Sequence, residues 1–138
     1  MSKLTKRDLG DILQEKFAVK KDDDGDYAAV LDADKDFRYD VIVVFIQYED
    51  SDKLQSQAYS PKFKIPADRA ADALLFCNKW NKEKSYGQVW FNQELGMFQV
   101  KMTFPDSSEL PREYIKEKVV PLMMVIAWQF FKQAGQEF

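Results

Sequence analysis

The chain contains no histidine. That removes the side chain whose charge changes most readily near neutral pH, and with it nucleophile systems that pair serine or cysteine with an imidazole base. It also removes the commonest ligand of a transition metal, which a single cysteine cannot replace. Cysteine is nearly missing as well, since Cys77 stands alone. No disulfide can form within the chain, and a reducing compartment is expected. There is no excess of positive charge: the formal net charge is −3. A nucleic-acid partner, which needs a basic stripe, is therefore not expected. The first residues, Met1-Ser2-Lys3-Leu4-Thr5-Lys6-Arg7-Asp8, lack the apolar segment of a signal peptide. The longest apolar run, Val119 to Phe131, falls short of the about 20 residues a membrane span requires and contains Pro121 and Gln129. The expectation is a cytoplasmic protein with no membrane partner and no internal repeat.

What the chain does contain is core. Hydrophobic residues make up 46% and aromatics 14% of 138 residues, which suits one packed domain over residues 1–138. Charge is unevenly spread. Residues 22–52 carry ten aspartates and Glu49 against Lys35 and Arg38, whereas the segments on either side are each net positive by three.

Periodicity places the elements. Leu9, Ile12, Leu13 and Phe17 share one face of a helix over residues 5–17, which Thr5 and Asp8 open as a capping box. Lys20 to Asp26 reads as a polar turn, Tyr27 to Leu31 as a short strand, and 32–36 as another turn. Residues 38–48 form the strongest strand. Val41, Val43 and Phe45 point one way, and Ile42, Val44, Ile46 and Tyr48 the other, so it is expected to be central and covered on both sides. A strand at 53–60 is placed near an edge, or ended early, by Pro61. Pro66 starts a second helix running to about Asn81. Residues 86–92 and 97–104 form a hairpin turned at Gln93 to Gly96. Pro111 opens a last helix reaching about Gly135, which Pro121 should kink or divide. The predicted fold is α+β: an antiparallel five-stranded sheet in the order α-β-β-β-α-β-β-α.

The last helix carries two apolar stripes. Ile115, Val119, Leu122, Ile126 and Phe130 make one. Val120, Met124, Ala127 and Phe131 make the other, with Met123 and Trp128 at its borders. One small core covers one stripe, and the second calls for a cover. Either the N-terminal helix folds over it, or Met123, Met124, Ala127, Trp128 and Phe131 form an interface for a second copy or a client peptide.

Other candidate sites have plainer explanations. With Gly25 at the glycine position of a calcium loop, Lys20 and Leu31 occupy the ends where carboxylates belong; for Asp32, Asp34 and Asp36, Phe37 and Val43 stand where Gly and Glu are needed. Solvated turns guarding strand ends explain these acids better, and no metal or cofactor is expected. Cys77, among Leu74, Phe76 and Trp80 late in its helix, reads as a small buried hydrophobe. Asn78 and Asn81 share a helix face. They either bond to the backbone of the next hairpin or, with Tyr86, line a small polar pocket. Tyr86, Trp90, Phe91 and Phe98 lack the Lys/Arg-Gly-aromatic run of an RNA-stacking sheet.

The segment Cys77-Asn78-Lys79-Trp80-Asn81-Lys82-Glu83-Lys84-Ser85-Tyr86-Gly87, with the strand through Phe91, resembles the YbjN-like family, described as bacterial sensory-transduction regulators. The shared features are an Asn-x-x-Asn helix end, a charged turn and an aromatic before the next strand. The element order resembles that family too. The resemblance implies a fold like that of the small dimeric chaperones of type III secretion and a regulatory or chaperone-like role, with no catalytic residue to transfer.

The expected function is a non-enzymatic homodimer that binds a protein partner or client peptide, at a sheet edge or beside the last helix. A small-ligand-binding sensor with a pocket between sheet and helices, using Asn78, Asn81 and Tyr86, is the alternative. On the first reading, Met124→Glu is expected to yield a monomer or an aggregate by light scattering.

Overall fold

A computed structural model describes residues 4–84 and 86–138. Met1 to Lys3 and Ser85, used above for the N-terminus and the family resemblance, lie outside the described residues. The elements are α1 (Lys6–Gln14), β1 (Val19–Lys21), β2 (Tyr27–Leu31), β3 (Val41–Tyr48), β4 (Lys53–Tyr59), α2 (Ala70–Glu83), β5 (Gln88–Asn92) and β6 (Met97–Pro105). The chain then ends in one helical run of α3 (Arg112–Tyr114), a π-helical stretch (Ile115–Val119) and α4 (Val120–Glu137). The six strands form one antiparallel sheet in the order β1-β2-β3-β4-β6-β5.

The α+β class and antiparallel sheet match the sequence reading; the strand count does not. The sixth strand is β1, where Val19 lies opposite Ala29 and Lys21 opposite Tyr27. Lysines are poor strand formers, so Lys20 and Lys21 read as turn. At a sheet edge they have a use, because charge there discourages pairing with another chain.

Local chemistry sets several boundaries. Thr5 caps α1: its Oγ1 accepts from the Asp8 N–H at 3.1 Å, and Asp8 accepts from the Thr5 N–H at 3.0 Å. This bond first, and then Arg112 at 3.0 Å, hold the Asp8 carboxyl below its usual pKa. Gly10 lets α1 press onto Tyr27, since a Cβ there would lie 2.3 Å from that ring. Gly96 takes φ +66 in the β5–β6 turn. β4 lies between β3 and β6, so Pro61 ends it early and does not mark an edge.

Pro121 leaves its mark one turn upstream. It has no N–H to give the Glu117 carbonyl, and its ring crowds that group. The chain widens there, and the Val120 N–H reaches back to the Ile115 oxygen, five residues away. The start of this helical run sits against α1 through three ion pairs: Asp8–Arg112 at 3.0 Å, Glu15–Lys116 at 3.0 Å and Lys16–Glu117 at 2.8 Å.

The helices lie on one face of the sheet, where Val41, Val43, Phe45, Leu54, Phe98 and Val100 are buried. α4 is central in that layer. Phe130 meets Phe98 on the sheet at 5.4 Å and Trp80 of α2 at 5.2 Å between ring centroids. On the other flank, Phe37 packs edge-on against Trp128 at 5.9 Å and lies beside Phe131 at 5.9 Å.

These contacts correct the expectation that α4 has surplus apolar surface. Met123, Met124, Ala127 and Phe131 are buried within their own chain, and Trp128 is half-buried under Phe37. The sheet, α2 and the loop carrying Phe37 supply the cover. The sequence does not disclose that loop, because its aspartates mask one inward-pointing phenylalanine. Of the large apolar residues of α4 only Val125 is exposed, at 49%. Met124 is 8% exposed, so Met124→Glu places a carboxylate in the core. The expected result is a loss of about 3 kcal/mol or more in stability, as for an unpaired buried charge. Urea unfolding checks it; an unchanged midpoint would contradict this placement of α4.

Candidate functional site: the open face of the sheet

Because the helices take one face, the opposite face is uncovered among the described residues. Its chemistry follows from strand alternation. Along β3 the outward residues are Ile42, Val44, Ile46 and Tyr48. An uncovered antiparallel sheet ordinarily turns polar residues to water. Here a column of β3 is aliphatic or aromatic throughout, with Ala28 beside Val44 and Val30 beside Ile42.

Cross-strand pairing extends the apolar surface in the second direction. Val30 lies opposite Ile42, Ile42 opposite Tyr59, Tyr59 opposite Gln99, and Gln99 opposite Trp90. This row crosses five strands and is apolar or aromatic at four of its five positions. Val30 is 52% exposed, Trp90 38% and Tyr48 36%. Column and row meet at Ile42; with Val30 lying on the other side of β3, the column and the Tyr59–Trp90 part of the row form an L. Inside its angle the surface is amide: Gln57 donates to Gln55 at 2.8 Å and Gln55 to Thr103 at 3.1 Å. The charged side chains on the outward strand positions are lysines: Lys20, Lys53 and Lys101. Lys53 lies over the Tyr48 ring at 4.8 Å.

The expectation that β3 is covered on both sides is thus corrected. The sequence signal, two apolar faces on one strand, is present, and ordinarily it implies a second covering layer. A chain with three long helical segments, all on the inner face, has none left for the outer one.

The edges offer less. β1 is three residues long and carries two lysines. At β5, Asn81 acts as a substitute strand. Its Nδ2 donates to the Val89 carbonyl and its Oδ1 accepts from the Val89 N–H, both at 2.9 Å. The backbone-bonding reading of Asn81 describes this geometry, whereas Asn78 and Tyr86 are exposed and form no enclosed pocket with it.

Reactive groups are scarce. Cys77 is buried, and burial pushes its thiol up to about 12. The carboxylates of Asp22, Asp24 and Asp26 converge within 4.8 Å. Asp22 accepts the N–H groups of Asp24 and Asp26 at 3.0 and 2.9 Å, and the Lys6 ammonium lies 3.3 Å from Asp26. Turn formation and a resident cation account for this cluster. A groove of about 440 Å³ lies between α2 and the end of α4, lined by Arg69, Leu75, Phe76, Trp80, Lys84 and Glu137 among others. The buried Trp80 Nε1 has no hydrogen-bond partner.

No protein-family model and no curated protein matches the chain.

The Cys77 geometry makes a direct prediction. At pH 8 its thiolate is scarce in the folded protein, whereas an unfolded cysteine ionises near 8.5. Iodoacetamide should modify Cys77 at least about 100-fold more slowly in native buffer than in urea. Intact mass over time reads the rate, and comparable rates would refute the buried placement.

Proposed function

We propose that this chain is a non-enzymatic, cytoplasmic protein-interaction domain of regulatory or chaperone-like kind, akin to YbjN-like proteins, which works as a homodimer and engages a protein partner or client peptide. The observation that carries this reading is the apolar L on the uncovered sheet face. Exposed apolar surface that is continuous over several strands is what interfaces require and what solitary surfaces avoid. The chemistry elsewhere favours contact over catalysis. The chain has no histidine, its one thiol is buried, and its convergent acids are spent on a turn. The support for a type III secretion chaperone-like arrangement is the helix–strand order with its antiparallel sheet.

The experiment is mass in solution over a concentration series. A species of twice 16.2 kDa is expected at micromolar concentration, dissociating on dilution. A constant monomer up to millimolar concentration rejects the homodimer.

A small-ligand sensor is the second reading, and one observation favours it: the buried, unpartnered Trp80 N–H beside the α2–α4 groove. The groove lies between helices, so the polar contacts differ from Asn78, Asn81 and Tyr86. A ligand carrying a hydrogen-bond acceptor should raise Tm with saturable dose dependence and shift Trp80 fluorescence. No such shift across a panel of small carboxylates and amides rejects it.

A further inference from the structure

We propose that the α2–α4 groove binds a monocarboxylate with an apolar body, its carboxylate held by the Trp80 indole N–H and the Lys84 ammonium. This rests on the small-ligand reading and specifies the class of ligand.

The groove follows from the way α2 and α4 meet. The Arg69 guanidinium donates to the Glu137 carbonyl at 3.2 Å, and the Trp80 ring meets Phe130 at 5.2 Å. The start of α2 therefore lies beside the end of α4, and the two helices run in opposite directions. Asp72, Phe76, Trp80 and Lys84 recur every four residues and share one face of α2. Phe76 is half-buried and Trp80 is 4% exposed, so the two rings make an aromatic floor. The volume of about 440 Å³ falls within the ~300–1,000 Å³ range of small-molecule sites.

The two ends of the groove differ in charge. At one end Asp72 and Glu137 stand against Arg69. Arg69 is committed there, with Nε bonded to Asp72 at 3.3 Å and the guanidinium over the Phe138 ring at 4.4 Å. At the other end Lys79 and Lys84 stand against Glu83. Lys84 makes no ion pair among the described residues, and its ammonium lies 5.2 Å from the centre of the Trp80 ring. At ~1.5 Å per residue, Asp72 and Lys84 are ~18 Å apart along the helix. One carboxylate is favoured at the lysine end. A second one, at the far end, is repelled by Asp72 and Glu137.

Trp80 supplies the directional donor. Its Nε1 is closed to water and has no acceptor. A buried N–H without a partner is costly, and an arriving acceptor recovers that cost. Phe130, perpendicular to the indole, offers only a ring face, a second-order acceptor. Lys84 is exposed at the end of α2, and its flexible stem moves off the ring without breaking an ion pair. One carboxylate oxygen then accepts from the indole and the other from the ammonium, a charge-assisted bond. The apolar body lies along Phe76 and Leu75, which is 66% exposed. A neutral amide satisfies the indole but forgoes the charge.

Four probes test the proposal on the full chain: phenylacetate and phenylacetamide, hexanoate and adipate. Calorimetry reads affinity, and the Trp80 indole proton resonance, identified as the one lost in Trp80→Phe, reads the new hydrogen bond. If Trp80→Phe fails to fold, Trp90→Phe and Trp128→Phe identify it by elimination. Phenylacetate and hexanoate should move that proton downfield to saturation. Phenylacetamide should bind at least about 10-fold more weakly than phenylacetate, and adipate at least about 10-fold more weakly than hexanoate. Lys84→Met keeps an apolar stem over the ring; it should weaken phenylacetate by at least about 10-fold and leave phenylacetamide unchanged. Equal affinity within either pair, an unmoved Trp80 proton at saturation, or full phenylacetate affinity in Lys84→Met overturns the carboxylate site while leaving a small-ligand binder. No saturable binding of any of the four probes up to about 10 mM, a Kd too weak for a built site, overturns both.

Discussion

The arrangement depends on one constraint: a single layer of helices covers a single face of the sheet. α4 occupies the middle of that layer because it is the most apolar helix and requires neighbours on most of its circumference. The sheet lies beneath it, α2 meets it through Phe76 and Trp80, and Phe37 closes the remaining flank. With these segments committed inward, the outer face depends on its own residues. Those residues are in large part aliphatic or aromatic, which makes the outer face the unusual feature of the fold.

The helical layer is held at its ends by different means. Aromatic rings dominate where α4 ends: Phe76, Phe98 and Phe138 meet at 5.5–6.0 Å, with Arg69 over the Phe138 ring. Ion pairs dominate where the last helical run begins, joining α1 to α3 and the π-helical stretch. Exposed pairs of this kind contribute little to stability, about 0–1 kcal/mol each. Their role is register, since they align α1 with a stretch that Pro121 has widened. Polar groups hold the far end of the sheet. Gln47 and Ser107 bond at 2.9 Å in the interior, and Asp52, at φ 45, accepts from the Ser108 N–H at 3.1 Å. This network ties the β3–β4 turn to the segment after β6, satisfying buried polar atoms that burial would otherwise penalise.

The same economy of segments underlies the proposal of recognition rather than chemistry. Acidic groups concentrate in the solvated turns at strand ends, between residues 22 and 52, where charge discourages edge pairing. The described side chains do not place an acid and a base together in a sheltered cleft. The extended apolar surface lies on a rigid sheet instead, a scaffold that holds side chains in fixed rows. Fixed rows suit a partner with matching geometry more than an adaptable ligand.

Much of this is legible in the residues. Thr5 and Asp8 mark the start of α1, Gly96 the hairpin turn, and Pro121 a disturbance in the last helix. Alternation on β6 identifies the inward set Phe98, Val100 and Met102. β1 escapes such a reading because lysines are judged by average strand preference, and preference does not know that a residue sits at an edge. The apolar stripes of α4 do signal a need for cover, but they do not say that the cover comes from the same chain. Local patterning, set by side-chain size, polarity and backbone freedom, determined which residues pair into strands, which wind into helices, and which reactions lack their side chains. The tertiary structure alone decided which apolar surface is hidden. Whether Phe37 reaches α4, and whether a second layer reaches the outer side of β3, depends on contacts between segments far apart in the chain, and no local pattern records the outcome of that competition for a limited number of covering elements.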